Sequence, residues 1–122
     1  MATAHQIEAF RQSWRPTQEK VDLAVKTAID VAKPSRVFVF GSWARGNATP
    51  ESDLDLAVLL PDDRKEEIAA LRKQILRHFS DIRMSIDLLL ETEDDLATFG
   101  SLAGTVYFDI ANEGKLVYEQ SR

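Results

Sequence analysis

Apolar residues recur along the chain first at helical and then at strand spacing. From Thr3 to Trp14, Ile7, Phe10 and Trp14 fall on one helical stripe. From Thr17 to Ala32 the same period runs through Val21, Ala24, Val25, Ala28 and Ile29. Arg15-Pro16 divides these two helices, because proline is accepted in a first turn, and Lys33-Pro34-Ser35 ends the second. Arg36 to Phe40 (RVFVF) and Leu54 to Leu60 (LDLAVLL) then read as strands with few polar residues, as buried strands do. Pro61-Asp62-Asp63 opens a long helix through about Phe79, with Ile68, Leu71, Ile75, Leu76 and Phe79 as its apolar stripe. Its acids (Asp62, Asp63, Glu66, Glu67) come first and its bases (Arg72, Lys73, Arg77) last, the order a helix dipole favours. Met84 to Leu90 (MSIDLLL) reads as a third strand.

Thr92 to Asp95 supplies an N-cap and an acidic first turn for a short helix, interrupted at Gly100 or Ser101. Ser101 to Asn112 is expected to form a last helix, with Leu102, Val106, Phe108 and Ile110 partly buried. Asn112-Glu113-Gly114 stops it before a short strand, Lys115 to Tyr118. The expectation is one α/β (α+β) domain over residues 1–122, a small mixed sheet packed with helices. Its N-terminal helices span 3–32, its central core 36–91, and its C-terminal helices and short strand 92–119.

Composition narrows the function classes. Twenty acidic residues against fifteen basic ones give a net charge of −5. That argues against a long nucleic-acid track, which needs clustered Lys and Arg. There is no cysteine, hence no disulfide framework and no Cys-ligated zinc. No basic-then-apolar leader and no apolar run of membrane-spanning length is visible, so the expectation is a cytoplasmic protein with no membrane partner. His5 and His78 lack metal-ligand partners at a telling spacing.

The chemistry concentrates between the first two strands, in Gly41 to Asp55 (GSWARGNATPESDLD). Gly41 lets the backbone come close to a ligand, because no Cβ stands in the way. Ser42 offers a hydroxyl and a backbone N–H at a helix start, where orphan amides favour anions. Asp53 and Asp55, two apart on a strand, share one face and repel each other unless they share a proton or a cation. Carboxylate oxygens suit Mg²⁺, which commonly keeps substrate phosphates in its remaining positions. Arg45 has two readings: it neutralises phosphate charge, or it pairs with Glu51 or another acid to brace the loop.

Gly41-Ser42, ten intervening residues and Asp53-Leu54-Asp55 resemble the signature of the DNA polymerase β-type nucleotidyltransferase superfamily. The string GSWARGNATPESDLDLAVLL is most similar to the minimal nucleotidyltransferases (MNT). The resemblance covers about Val37 to Leu90. It implies a polymerase β-like fold, a third carboxylate at Asp87, and Mg²⁺ held by Asp53, Asp55 and Asp87, two ions in the active complex. It also implies ATP as nucleotide donor, with Gly41 and Ser42 at its terminal phosphates. Without the resemblance, Asp87 could equally be an edge-strand residue facing solvent. MNT proteins are often paired with HEPN-family ribonuclease toxins, which implies AMP transfer to a hydroxyl, a tyrosine, of such a toxin and an antitoxin role. Val106, Tyr107 and Ile110 are the candidate docking face. The alternatives are an antitoxin that masks its partner by occlusion without catalysis, and a small-molecule nucleotidyltransferase. A homo-oligomer is compatible with all of these.

Overall fold

Two threonines start the N-terminal helices in the computed structural model, which describes residues 1–121. Thr3 Oγ1 accepts from the Gln6 amide while the Gln6 side chain accepts from the Thr3 amide, and this capping box opens α1, Ala4–Ser13. Thr17 caps α2, Gln18–Ala32, through the Lys20 amide. The strands are β1 (Arg36–Phe40), β2 (Leu54–Leu60), β3 (Ile86–Thr92) and β4 (Lys115–Glu119). Between them lie α3 (Gly41–Arg45), α4 (Ile68–Phe79), α5 (Glu93–Phe99) and α6 (Val106–Glu113). The sheet order is β3-β2-β1-β4, with β2 and β3 parallel and the other pairs antiparallel. This is the mixed α/β architecture the residue pattern calls for.

Strand alternation splits the core in two. Leu54, Leu56, Val58 and Leu60 of β2 face α2 and α4, where they meet Ala24, Ala28, Leu71 and Ile75. Ala57 and Leu59 face the other way, with Phe38 and Phe40, against Leu96 of α5 and Ile110 of α6. Leu54, Leu56 and Leu60 are 0% exposed. Burying each such side chain contributes about 1.5–3 kcal/mol.

Four expectations are corrected. The helix after Pro61 is not continuous: Asp62–Glu67 is a 3₁₀ segment, broken at Arg64 (φ −108°, ψ 15°), and α4 begins only at Ile68. Arg64 is occupied there with Glu67 and with the Lys33 carbonyl, contacts that favour a local turn. On α4, Leu76 is exposed, while Leu71, Ile75 and Phe79 are buried. The third strand lies two residues later than expected. Met84 is spent in a tight turn (its amide bonds to the Ile82 carbonyl, 2.7 Å), and β2 pairs with β3 only from Ile86 onward. The last helix starts at Val106 rather than Ser101, because Gly104 adopts φ +89° and Thr105 caps the helix through the Phe108 amide. Among the described residues no helix is long and apolar enough to cross a membrane.

Candidate active site

The phosphate turn and the acidic strand end meet because β1 and β2 are antiparallel. Phe40, the last residue of β1, pairs with Asp55, so the chain leaves β1 directly above that carboxylate. Gly41 follows at φ +70°, a left-handed conformation that costs little only without a Cβ. A Cβ at Gly41 would collide with Asp55 Oδ2. The space the glycine leaves is therefore filled by the Asp55 carboxylate. That packing is a second reason for a glycine here, beside the close ligand approach expected of it. Ser42 is half-buried in the first turn of α3, and its carbonyl accepts from the Asn47 amide, which folds the following loop back.

The parallel pairing of β2 with β3 sets Asp55 directly beside Asp87. Asp53 precedes β2 by one residue and shares Asp55's side of the chain by strand alternation. Asp53 and Asp87 are exposed and Asp55 is half-buried. Asp87 thus combines both sequence readings: it lies on an edge strand open to solvent, and it neighbours Asp55. The Asp55 carboxyl is held above its ordinary value of 3.8. Partial burial is the main cause, followed by the charges of Asp87 and then Asp53, with Arg45 opposing them.

Among the described residues, no three His, Cys, Asp or Glu side chains gather closely enough to hold a metal ion as they stand. The donor set still fits a hard divalent cation. It consists of carboxylate oxygens at one end of the sheet whose mutual repulsion a cation relieves, and the exposed Asp53 and Asp87 have room for other rotamers.

Arg45 takes the bracing geometry, with an acid other than Glu51. Its Nη1 lies 3.3 Å from Glu113 Oε2 on α6, a pair about half exposed on both sides. The proposed docking face on α6 is only partly available: Ile110 is 1% exposed and Tyr107 half-buried, while Val106 is open. Two features of the neighbourhood escaped the sequence reading. Trp43 Nε1 is buried without a hydrogen-bond partner behind the turn. Glu91, two positions beyond Leu89 on the aspartates' face of β3, is held above its usual range by burial first and by Asp95 next. The second signal was readable, since Asp87 and Glu91 stand four apart on one strand.

An acidic cluster packed under a left-handed glycine turn, at one end of a small mixed sheet, defines an α/β domain suited to handling a polyanion through cations. The profile of the "Polymerase beta, Nucleotidyltransferase" family matches residues 19–122, and the chain belongs to that family. Its fold is the polymerase β-like nucleotidyltransferase fold. It is similar to a candidate nucleotidyltransferase from Sulfolobus solfataricus, solved by crystallography, with a TM-score of 0.56 and 20% identity; the match covers 93% of this chain and 86% of that one. It is also similar to a chain in a crystal structure of a toxin–antitoxin with AMP-PNP, with a TM-score of 0.50 and 20% identity, over 86% of this chain and 75% of that one. At that identity both likenesses concern the fold. No curated protein matches the chain.

Proposed function

We propose that this protein is a Mg²⁺-dependent nucleotidyltransferase that moves AMP from ATP to a hydroxyl, a tyrosine, of a partner protein. We further propose that the partner is a HEPN-family ribonuclease toxin in the cytoplasm, for which this chain is the antitoxin. The observation that carries the reading is the pairing of Asp55 with Asp87 on adjacent parallel strands beside the Gly41 turn. Family membership supports the reaction class. The toxin–antitoxin neighbour with AMP-PNP supports the nucleotide and the partner class.

Asp53, Asp55 and Asp87 would hold the metal. Bound Mg²⁺ supplies charge neutralisation between carboxylates and triphosphate, and it lowers the pKa of the acceptor hydroxyl. The chain's own residues do the rest. Gly41 keeps the turn closed on Asp55, and Ser42 and the first amides of α3 would hold the terminal phosphates. Arg45, tied to Glu113, adds positive charge at the rim. In the transfer, the acceptor oxygen bonds to the α-phosphorus and the bond from that phosphorus to the β-bridging oxygen breaks. Pyrophosphate leaves, and the hydroxyl proton passes to water at the exposed edge of the cluster.

The test uses the purified protein, the product of the adjacent gene, ATP and Mg²⁺, followed by intact-mass spectrometry of that neighbour. The expected result is an AMP-sized gain that Asp53→Ala abolishes. Inhibition of the neighbour with no mass gain, unchanged by Asp53→Ala, would replace this reading with masking by occlusion.

A further inference from the structure

All four strands deliver something to one end of the sheet. β1 runs out into the Gly41 turn and α3, and β2 begins just after Asp53. β3 carries Asp87 directly after its first residue, Ile86. β4 starts at this end as well, since Lys115 pairs with Val39, next to the last residue of β1. What precedes β4 is the end of α6, and its last residue is Glu113. The β1–β4 register thus sets the end of α6 beside α3, where Arg45 Nη1 meets Glu113 Oε2 at 3.3 Å.

Two features set this pair apart from an ordinary surface ion pair. The first is where Arg45 stands. It closes α3 one turn after Gly41, the residue packed on the Asp55 carboxylate, and the left-handed Gly46 (φ +76°) ends the helix immediately after it. The second is where Glu113 stands. It occupies the last turn of α6, where the unpaired carbonyls disfavour a carboxylate, and no basic residue shares that turn. Helix stability gives no reason for an acid there, whereas the contact with Arg45 does. An arginine that clamps a ligand loses rotamer freedom, unless another group has already ordered it. Glu113 takes one N–H of the Arg45 guanidinium and leaves the rest of the fork open.

We infer that Glu113 is a positioning residue, which orders the Arg45 side chain so that its free N–H groups meet the terminal phosphates of a nucleotide bound at the aspartates. The inference rests on the proposed nucleotide site and adds α6 to it. It joins the two readings of Arg45, bracing and charge neutralisation, in one geometry: the brace is what holds the charge in place. α6 then has two duties. Ile110 closes the core beneath the sheet, and Glu113, three residues on, serves the rim of the site.

The experiment measures AMP-PNP binding with Mg²⁺ by calorimetry, and thermal unfolding without nucleotide. It compares wild type with Arg45→Met, Glu113→Gln, the double variant Arg45→Met/Glu113→Gln and the charge swap Arg45→Glu/Glu113→Arg. All should melt close to wild type, because a half-exposed ion pair adds little to stability. Arg45→Met should weaken binding about ten- to a hundredfold. Glu113→Gln should weaken it about three- to tenfold, the cost of ordering one long side chain. The double variant should bind like Arg45→Met alone, since Glu113 acts only through Arg45. The charge swap should keep an ion pair between α3 and α6 yet bind no better than Arg45→Met. A swap that restores wild-type affinity overturns the inference, because any tie between the two helices would then serve. Glu113→Gln with wild-type affinity overturns it as well, and tighter binding would show that Glu113 draws Arg45 away from the phosphates. A wild type that does not bind AMP-PNP removes the nucleotide site and this inference together, whereas binding weakened by Arg45→Met and untouched by Glu113→Gln removes the inference alone.

Discussion

Replacing Gly41 by alanine separates two costs that the structure superimposes. At φ +70° a Cβ strains the backbone by roughly 1–2 kcal/mol. The same Cβ collides with the Asp55 carboxylate, and such overpacking adds about 1–3 kcal/mol. The expected loss is therefore on the order of 2–5 kcal/mol. With a urea slope of about 2 kcal/mol per molar, the unfolding midpoint falls by about 1–2.5 M. In an Asp55→Ala background only the strain should remain, because the Cβ of residue 55 lies 3.4 Å from the new one, an ordinary contact. The double-mutant cycle should thus return a coupling of about 1–3 kcal/mol, read by urea denaturation at pH 7 without divalent cations. An equal cost of Gly41→Ala in both backgrounds would refute the placement of Asp55 against the turn. No cost in either would refute the left-handed turn itself.

Asp53→Asn and Asp87→Asn should each abolish Mg²⁺-dependent pyrophosphate release while leaving the melting temperature unchanged or raised, since each removes one charge from a repelling cluster. Asp55 should make stability depend on pH. Its carboxyl is raised in the fold, so the native state binds the proton more tightly, and stability present below about pH 3.8 is lost as pH climbs through the raised value. Asp55→Asn should accordingly melt higher than wild type at pH 7 without cations, with the difference closing below pH 4; a constant difference across pH would count against the cluster. Arg36→Met should cost about 1–2 kcal/mol by thermal unfolding. It removes two close bonds to a half-buried Glu93 (2.7 Å from Nη2, 2.9 Å from Nε) and a cation–π contact with Phe38 at 5.1 Å.

Most elements were legible because their signals are local. Thr17, Lys33-Pro34 and the run LDLAVLL set α2 and β2 by capping, chain geometry and burial, all of which act within a few residues. What failed depended on distant partners. The start of β3 is set by parallel pairing with β2, and the break at Arg64 by its bond to the Lys33 carbonyl, thirty-one residues away in sequence. The stripe Ile7, Phe10, Trp14 announced a helix, but periodicity does not say what covers a face, and all three residues stay exposed. At the site, the spacing of Asp53 and Asp55 gave their common face. Sequence could not reveal that Gly41 makes room for Asp55, because the antiparallel register that brings them together is a tertiary fact.

That register also ties the chemistry to the core. On β2, Leu54 and Leu56 are 0% exposed against α2 and α4, while Asp55 between them faces the opposite side. A slip of one residue would turn the leucines toward the acidic face and the carboxylate into the apolar core. Losing the burial of Leu54, Leu56 and Leu60 alone would forfeit about 5–9 kcal/mol, comparable with the whole stability of a small domain. The like-charge repulsion among Asp53, Asp55 and Asp87 pushes against the fold at the open end of the sheet. It cannot move the strand, because the residues that would have to move with it are the best buried in the chain. The acidic cluster is therefore held in a repulsive arrangement by apolar packing on the reverse of the same strand, and a cation bound there would relieve the repulsion without moving the strand.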